Sequence, residues 1–202
     1  MVLLAGPSGC GKTHLARAAG LPIVALDDFY RNGDDPGMPR GDDGLVDWED
    51  PASWDGDAAV AALDELCRAD RVLVPTYAFG EDRVVGSRSI EREGSPIVVA
   101  EGIFAAELVE RLRSCGLLAD ALLIHEDRWL TFGRRLVRDL REGRKAPWYL
   151  VRQGWAKTRS EPAVVAHQRE RGARPVSKPE ARARLAGLAG RPRVVCDEAG
   201  AA

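Results

Sequence analysis

The sequence predicts an α/β fold of three layers, in which helices cover a mostly parallel sheet. Short apolar runs alternate with longer stretches of helical periodicity, a pattern typical of strand–helix–strand units. A glycine-rich turn separates the first apolar run from the first helical stretch. The 202 residues, 45% hydrophobic and 30% charged, suffice for a globular domain with a full core and exclude a disordered or fibrous chain.

The first third of the chain is predicted to hold two buried strands, Val2–Ala5 and Pro22–Leu26, with a helix over Lys12–Ala19 between them. Residues 31–49 are polar and rich in glycine and aspartate, which indicates a long functional loop. The pair Asp50-Pro51 has the form of a helix N-cap followed by proline at the first helical position. The apolar spacing after it predicts a core-facing stripe of Ala59, Ala62, Leu63 and Leu66.

The alternation continues along the rest of the chain. Arg71–Thr76 is predicted to be a strand, and Arg83–Ile90 alternates weakly, as a hairpin or edge ribbon does. Two fully apolar runs predict central strands: Ile97–Ala100 and Ala121–Ile124. Three further helices are expected: Ala105–Cys115, Trp129–Arg144 and Trp148–Arg169. A last strand is expected over Arg193–Cys196, and the absence of repeats and linkers predicts a single domain over residues 1–202.

The sequence does not indicate a membrane protein. No run of 18 apolar residues is present, so no membrane-spanning helix is expected. The opening MVLLAGPSG has too few apolar residues before glycine and proline for a signal-peptide core, which predicts a cytoplasmic protein. The four cysteines form no CxxC pair and no metal-ligand spacing, so reduced thiols are expected at all of them: Cys10, Cys67, Cys115 and Cys196.

The most specific signal is GPSGCGKT over residues 6–13, which fits G-x-x-x-x-G-K-[ST]. Glycines let backbone N–H groups turn inward around phosphate oxygens, and the following helix directs its positive end at the same anion. The motif predicts a phosphate-binding loop (P-loop) for a nucleoside triphosphate, in which Lys12 reaches the β- and γ-phosphates and Thr13 binds Mg²⁺. The predicted nucleotide-binding residues are Gly6, Ser8, Gly9, Cys10, Gly11, Lys12 and Thr13.

The second predicted strand ends in DDFY, residues 27–30. A carboxylate at the carboxyl end of a strand beside a P-loop lies where a substrate hydroxyl would approach the γ-phosphate. There it accepts the hydroxyl proton and orients the nucleophile; an N-cap or loop acid is the alternative interpretation. The chain lacks the Asn/Thr-Lys-x-Asp motif of GTPases and is too short for a large ATPase motor. A small-molecule kinase therefore fits best.

Charge is unevenly distributed, although the net charge is only −2. Residues 26–57 contain eleven Asp or Glu and two Arg, whereas residues 128–193 contain eighteen Lys or Arg and five Asp or Glu. An acidic and a basic region suit a metal–polyphosphate ligand between them; two solvated faces are the alternative.

The predicted helix after residue 128 carries four cations within an arc of roughly 60°: Arg134, Arg138, Arg141 and Lys145. Like charges one turn apart repel, so this face makes better sense if an anion neutralises it. A helical lid over residues 128–160 that closes over a triphosphate would do so. The alternative is a nucleic-acid patch, but the chain is slightly acidic and no aromatic platform interleaves with the arginines. No nucleic-acid partner is therefore expected.

In the order of its motifs the chain resembles the uridine kinase family of P-loop kinases, from Leu4 to about Lys145. The matching pieces are GPSGCGKT, DDFY, DWEDP, PTYAF, VVAEGIF and RRLVRDLREGR. The resemblance implies a three-layer P-loop nucleoside-triphosphate hydrolase fold with a helical lid. It also implies ATP- and Mg²⁺-dependent phosphorylation of a small-molecule substrate. It leaves a homo-oligomer open, because uridine kinases often assemble as tetramers.

The resemblance implies roles by motif position. The implied catalytic residues are Asp27 as the carboxylate, Lys12 and Arg138. The implied substrate-binding residues are Tyr30, Glu49, Tyr77 and Phe79, of which the last two are alternatively core aromatics at a strand end. Mg²⁺ is implied to be held by Thr13 and Glu101. Lid contacts to the nucleotide are implied for Arg135 and Arg144.

The acceptor is less closely specified. The family's histidine that reads the pyrimidine edge has no counterpart in GEDR, residues 80–83, and the chain departs from the family after Ala146. We expect an ATP-dependent kinase for a hydroxyl of a small metabolite, first of all uridine or cytidine. The alternatives are a kinase for a different small alcohol, such as a sugar or a pantothenate-like compound, and a non-catalytic ATP-binding regulatory protein.

Overall fold

A computed structural model of the chain describes residues 1–124 and 162–190. These residues form seven strands, listed in chain order: β1 (Val2–Ala5), β2 (Ile23–Ala25), β3 (Arg71–Ala78), β4 (Arg83–Glu91), β5 (Val99–Glu101), β6 (Asp120–Ile124) and β7 (Arg174–Val176). Five of them make a parallel sheet in the order β2-β5-β1-β6-β7. The central strand β1 places Val2 opposite Val99 on one side and Asp120 on the other.

Helices cover both faces of this sheet, as the fold class requires. The helices are α1 (Lys12–Ala18), α2 (Gly56–Ala69), α3 (Val109–Ser114), α4 (residues 162–170) and α5 (Lys178–Ala189). Side chains of β1 alternate between the faces: Leu3 and Ala5 belong to the core shared with α2 and α3, whereas Val2 and Leu4 belong to the core shared with α1 and α5. The three-layer P-loop architecture predicted from the sequence is confirmed.

The start of α2 differs from the sequence expectation. The Asp50 side chain does accept the Ala52 N–H, but Pro51–Ser53 is only a short 3₁₀ turn. Trp54 then runs in extended backbone, and Asp55 is the N-cap of α2, accepting the Ala58 N–H at 2.8 Å. The helix begins five residues late because the buried indole of Trp54 donates to the Leu26 carbonyl at 2.7 Å, which holds the chain extended at that point.

Strands β3 and β4 form a separate antiparallel ribbon, with Arg71 opposite Glu91. The prediction of a hairpin or edge ribbon over Arg83–Ile90 is therefore confirmed. The alternation is weak because nearly all of β4 is exposed and the ribbon buries only a few apolar side chains: Val72, Val74, Tyr77 and Ile90.

Two other parts of the fold differ from what the sequence predicts. The helix expected over Ala105–Cys115 is divided into a 3₁₀ turn, Ala105–Leu108, and the short helix α3. The fifth strand of the sheet is β7, which has only three residues and was not predicted. The strand expected over Arg193–Cys196 and the whole of the lid expected over residues 128–160 lie outside the described residues. Within the described ranges no helix is long and apolar enough to cross a membrane.

Candidate active site

The P-loop connects the central strand β1 to α1. Its three glycines have positive φ angles, 142° at Gly6, 85° at Gly9 and 91° at Gly11, a region that other residues rarely adopt. A Cβ on Gly6 would lie 2.5 Å from the Ile124 carbonyl oxygen at the end of β6. The path of the loop against the neighbouring strand therefore requires glycine, and it leaves the loop backbone accessible to an anion.

Lys12 lies against this loop with only 7% of its surface exposed. Its Nζ donates to the Gly6 carbonyl at 2.8 Å and to the Pro7 carbonyl at 3.1 Å. An ammonium has three donor hydrogens, and these two bonds fix its position over the loop. Cys10 is buried beneath the loop, and burial raises the pKa of its thiol, which suits a packing role.

Thr13 and Glu101 form the second part of the site. The hydroxyl of Thr13 donates to Glu101 Oε1 at 2.6 Å, and Glu101 ends β5 beside β1, opposite Leu4. A hydroxyl and a carboxylate are the hard oxygen ligands that Mg²⁺ prefers. Within residues 1–124 and 162–190 no group of three His, Cys, Asp or Glu could hold a metal ion. One hydroxyl and one carboxylate fit Mg²⁺ that is bound together with phosphate oxygens and waters, which is its usual mode.

Asp27 lies in the 3₁₀ turn Leu26–Phe29 that follows β2. Burial raises the pKa of its carboxyl, the Lys12 ammonium acts in the opposite direction, and Glu101 raises it further. A Cβ on Gly102 would lie 2.9 Å from Asp27 Oδ1, and this buried oxygen has no hydrogen-bond partner among the described residues. Because a buried acceptor without a donor is costly, Asp27 is suited to accept a hydrogen bond from a ligand hydroxyl.

Tyr30 is the centre of an aromatic cluster beside Asp27. Its ring contacts four others at centroid distances of 5.5–6.1 Å: those of Trp48, Tyr77, Phe79 and Phe104. Its hydroxyl donates to the Trp48 carbonyl at 3.0 Å. Burial raises the pKa of the Tyr30 phenol, and the carboxylates of Asp27 and Glu49 raise it further. The structure therefore brings Asp27, Tyr30 and the half-buried Glu49 close together.

The two aromatic residues of the ribbon have different surroundings. Tyr77 is buried, burial raises the pKa of its phenol, and its hydroxyl donates to the Arg31 carbonyl at 3.3 Å. Phe79 packs on Tyr77 at a centroid distance of 5.2 Å and remains 42% exposed. Tyr77 is thus buried within the cluster, and Phe79 is the accessible side chain at its edge.

Sequence reasoning missed Asp28, which attaches the ribbon to the site. Its Oδ2 pairs with Arg88 Nη2 at 2.8 Å, and its Oδ1 accepts the Tyr77 N–H at 3.3 Å. Asn32 adds a further link by accepting the Val84 N–H at 2.9 Å. The adjacent pair of aspartates, residues 27 and 28, was the available signal.

The lid arginines expected to contact the nucleotide, Arg135, Arg138 and Arg144, lie outside the described residues. Their roles stay predictions. All the other predicted site residues are described. The P-loop residues, Asp27 and Glu101 lie at the end of the sheet where β1, β2 and β5 terminate. Tyr77 and Phe79 contact Tyr30, and the charge of Glu49 acts on its phenol.

A P-loop follows the central strand β1, and carboxylates lie at the ends of the next two strands in the sheet, Glu101 on β5 and Asp27 after β2. This arrangement defines a P-loop kinase. Comparison with known proteins specifies the family. The sequence model of the Phosphoribulokinase / Uridine kinase family matches residues 1–146, and the chain belongs to this family. Membership supports a phosphotransferase and implies the use of ATP.

The similar proteins include a uridine kinase and a protein named as an inorganic pyrophosphatase. Over 146 residues the chain is 31% identical to a uridine kinase of Bacillus pumilus (strain SAFR-032). This alignment covers 69% of this chain and 67% of the Bacillus protein. Over 157 residues it is 31% identical to the inorganic pyrophosphatase TTM2 of Arabidopsis thaliana, covering 76% of this chain. The chain spans only 22% of the length of TTM2.

Among solved structures, the chain is similar to one described as a "putative fructose transport system kinase" from Silicibacter sp. TM1040. The TM-score is 0.55 at 18% identity, and the alignment covers 88% of this chain and 86% of that one. At this identity the similarity shows the fold alone.

Proposed function

We propose that the protein is an ATP-dependent kinase that transfers the γ-phosphate of ATP to a hydroxyl of a small metabolite, with a nucleoside such as uridine or cytidine as the first candidate acceptor. The observation that carries the proposal is the buried carboxylate of Asp27, coupled electrostatically to Lys12 of the P-loop and to Glu101. A buried, incompletely hydrogen-bonded acid beside a phosphate loop is arranged for chemistry rather than for stability.

On the nucleotide side, the loop backbone and Lys12 bind the β- and γ-phosphates of ATP. Thr13 and Glu101 would hold Mg²⁺, which when bound neutralises charge on the phosphate oxygens. Their mutual hydrogen bond of 2.6 Å keeps both oxygens in place beforehand, so little rearrangement is needed when the ligand arrives.

On the acceptor side, the Asp27 carboxylate accepts the hydrogen bond of the substrate hydroxyl and directs the hydroxyl oxygen at the γ-phosphorus. As the oxygen–phosphorus bond forms and the bond to the leaving ADP oxygen breaks, the hydroxyl proton passes to Asp27. Burial raises the pKa of Asp27, which makes it a better proton acceptor than an exposed aspartate. Because phosphoryl transfer has a loose transition state, orientation contributes more than basicity.

The aromatic cluster around Tyr30 supports an acceptor with a flat or apolar part. In this proposal Phe79 and Tyr77 border the ring of the acceptor, Tyr30 faces it, and Glu49 binds a pair of sugar hydroxyls. A carboxylate accepts two hydroxyl donors at once, which suits a ribose diol. The uridine kinases among the relatives support this choice of acceptor. The arginines Arg135, Arg138 and Arg144 are proposed to neutralise the transferring phosphate.

A panel of candidate acceptors, read by ADP release, tests the proposal. The wild-type protein is expected to release ADP with uridine or cytidine, and Asp27→Asn to retain ATP binding while losing at least about 10²-fold in turnover. The control is Asp42→Asn, a charge change in an exposed part of the 31–49 loop, which should leave turnover unchanged. Unchanged turnover in Asp27→Asn would refute the role of Asp27.

A different small alcohol is the second candidate acceptor, favoured by two observations. Residues 80–83 carry no histidine, and the Tyr77 hydroxyl is already bonded to the Arg31 carbonyl, so the polar groups that would read a pyrimidine edge are few. ADP release with a sugar or pantothenate-like alcohol but with no nucleoside would select this candidate. ATP binding without ADP release for any alcohol would instead indicate a regulatory ATP-binding protein.

A further inference from the structure

Lys178 lies on the P-loop although it belongs to the part of the chain beyond the family match over residues 1–146. A Cβ on Gly11 would lie 3.0 Å from Lys178 Nζ and 3.2 Å from its Cε. The charge of Lys178 also affects the pKa of the Cys10 thiol. Burial raises its pKa, and the charges of Lys12 and Lys178 act in the opposite direction. Both Cys10 and Gly11 of the P-loop therefore lie near a second ammonium group, that of Lys178.

The sheet positions this lysine. Strand β7 pairs with β6 so that Val176 lies opposite Ile124, and the Ile124 carbonyl is the atom against which Gly6 packs. Two residues after Val176 the chain enters α5 at Lys178. Because β7 pairs with β6 in this register, α5 begins at the same end of the strands as the P-loop.

The start of α5 is fixed by a reciprocal cap. The Ser177 hydroxyl accepts the Glu180 N–H, and a Glu180 carboxylate oxygen accepts the Ser177 N–H at 2.7 Å. Such a capping box stabilises a helix end and sets its direction. The backbone of Lys178 therefore has a defined position, and only its side chain needs to adjust to a ligand.

A lysine at the first position of a helix is electrostatically unfavourable, because the N-terminal end of the helix dipole is positive. Lys12 is a cation of the P-loop itself, and the charges of both lysines act on the Cys10 thiol. An anion bound at the P-loop would interact favourably with both cations. The terminal Nζ of Lys178 comes nearer to the Gly11 position than the preceding Cε does, so the charged group itself faces the loop.

We propose that Lys178 is the second cation of the nucleotide site and binds the polyphosphate of ATP together with Lys12. The inference rests on the proposed function, which supplies the nucleotide. Lysine acts on phosphate as a compact point charge, so Lys178 adds affinity for any ligand that carries the polyphosphate group, whatever its base.

Calorimetric titration of ATP, ADP and inorganic tripolyphosphate tests this proposal. Lys178→Met is expected to weaken binding of all three ligands by about 5- to 30-fold at low salt, the range of a partly exposed charge-assisted contact. The loss should shrink as salt is added, because salt screens an exposed charge. Lys178→Arg should retain the wild-type affinity within about threefold.

The matched control is Arg182→Met, which removes one positive charge from an exposed position of α5 one turn further on. It should change affinity by less than about twofold, since the effect of a screened charge falls with distance. Thermal unfolding without ligand establishes that Lys178→Met is folded, and Lys178→Gln replaces it if it is not.

Equal affinities of the wild type and the Lys178→Met or Lys178→Gln variant would overturn the inference and leave the proposed function intact. A loss for ATP with none for tripolyphosphate would also overturn it, by showing that Lys178 contacts the nucleoside part. A wild-type protein that binds neither ATP nor ADP would refute the proposed function itself, which makes the two failures distinguishable.

Discussion

The Thr13 hydroxyl donates a 2.6 Å hydrogen bond to Glu101 Oε1 across 88 positions of sequence. The bond exists because β5 pairs in parallel with β1 and brings Glu101 opposite Leu4, so that the residues following both strands share one end of the sheet. The same relationship gathers the carboxylate of Asp27 there, since β2 pairs with β5 at Ala25 and Glu101. Parallel pairing thus assembles the candidate site.

Glu101→Gln tests the metal role proposed for this pair. The amide oxygen can still accept the Thr13 hydrogen bond, but the negative charge that attracts a divalent cation is lost. The Mg²⁺ concentration for half-maximal ADP release should rise about 10- to 100-fold, measured by Mg²⁺ titration at saturating ATP. Glu110→Gln, at an exposed carboxylate that pairs with Arg113, should leave the titration unchanged. An unchanged titration in Glu101→Gln would contradict the assignment.

Gly102→Ala should misplace the carboxylate of Asp27, which we propose to be catalytic, without contacting the nucleotide. The added Cβ would lie 2.9 Å from Asp27 Oδ1 and 2.9 Å from Leu26 Cβ, so the turn that carries Asp27 must shift. We expect turnover to fall about 10- to 100-fold and ATP affinity to change by less than about twofold, measured by ADP release and calorimetry. Gly86→Ala is the control, because its Cβ would meet nothing within 4 Å. Normal turnover in Gly102→Ala would show that close packing on Asp27 is not required.

Asp27 should make stability depend on pH. Burial raises the pKa of its carboxyl above the ordinary 3.8, so between these two pKa values the folded protein binds more protons than the unfolded chain. Its contribution to the free energy of unfolding therefore decreases as pH rises through this interval. In thermal unfolding without ligand, Asp27→Asn should melt higher than wild type at neutral pH, and the difference should disappear below pH 3.8. A lower melting temperature for Asp27→Asn at neutral pH is the contrary result.

Arg88→Met should loosen the ribbon from the site. The variant removes the 2.8 Å ion pair of Arg88 with Asp28, whose side chain is 14% exposed, and leaves the Tyr77 N–H as a partner. We expect the KM of the acceptor to rise severalfold while ATP affinity is retained, and stability to fall by about 1 kcal/mol. Kinetics with varied acceptor and urea unfolding measure these effects. Arg83→Met, on the same strand, is the control. Equal losses of ATP and acceptor affinity would argue against a role limited to the ribbon.

Much of the fold could be predicted from local sequence patterns. The P-loop could be predicted because its glycines and lysine lie within eight consecutive residues. The buried strand β1 and residues 121–124 of β6 could be predicted because these runs are fully apolar. The strand β7 could not be predicted from the sequence, because a run of three residues, two of them exposed, is too short to show a periodic pattern. The late start of α2 depends on the bond from Trp54 to the Leu26 carbonyl, which spans 28 positions and leaves no local trace.

The candidate site divides in the same way. The sequence by itself determined which residue types are present, since a glycine-rich loop, a lysine and acids at strand ends express their chemistry over a few neighbouring positions. Only the tertiary structure decided the surroundings of the two adjacent acids: Asp27 packs against Gly102, whereas Asp28 pairs with Arg88. Only the structure brought Lys178 to the P-loop. The physical reason is that burial and electrostatic coupling depend on distance in space, and strand pairing sets those distances between residues far apart in the chain.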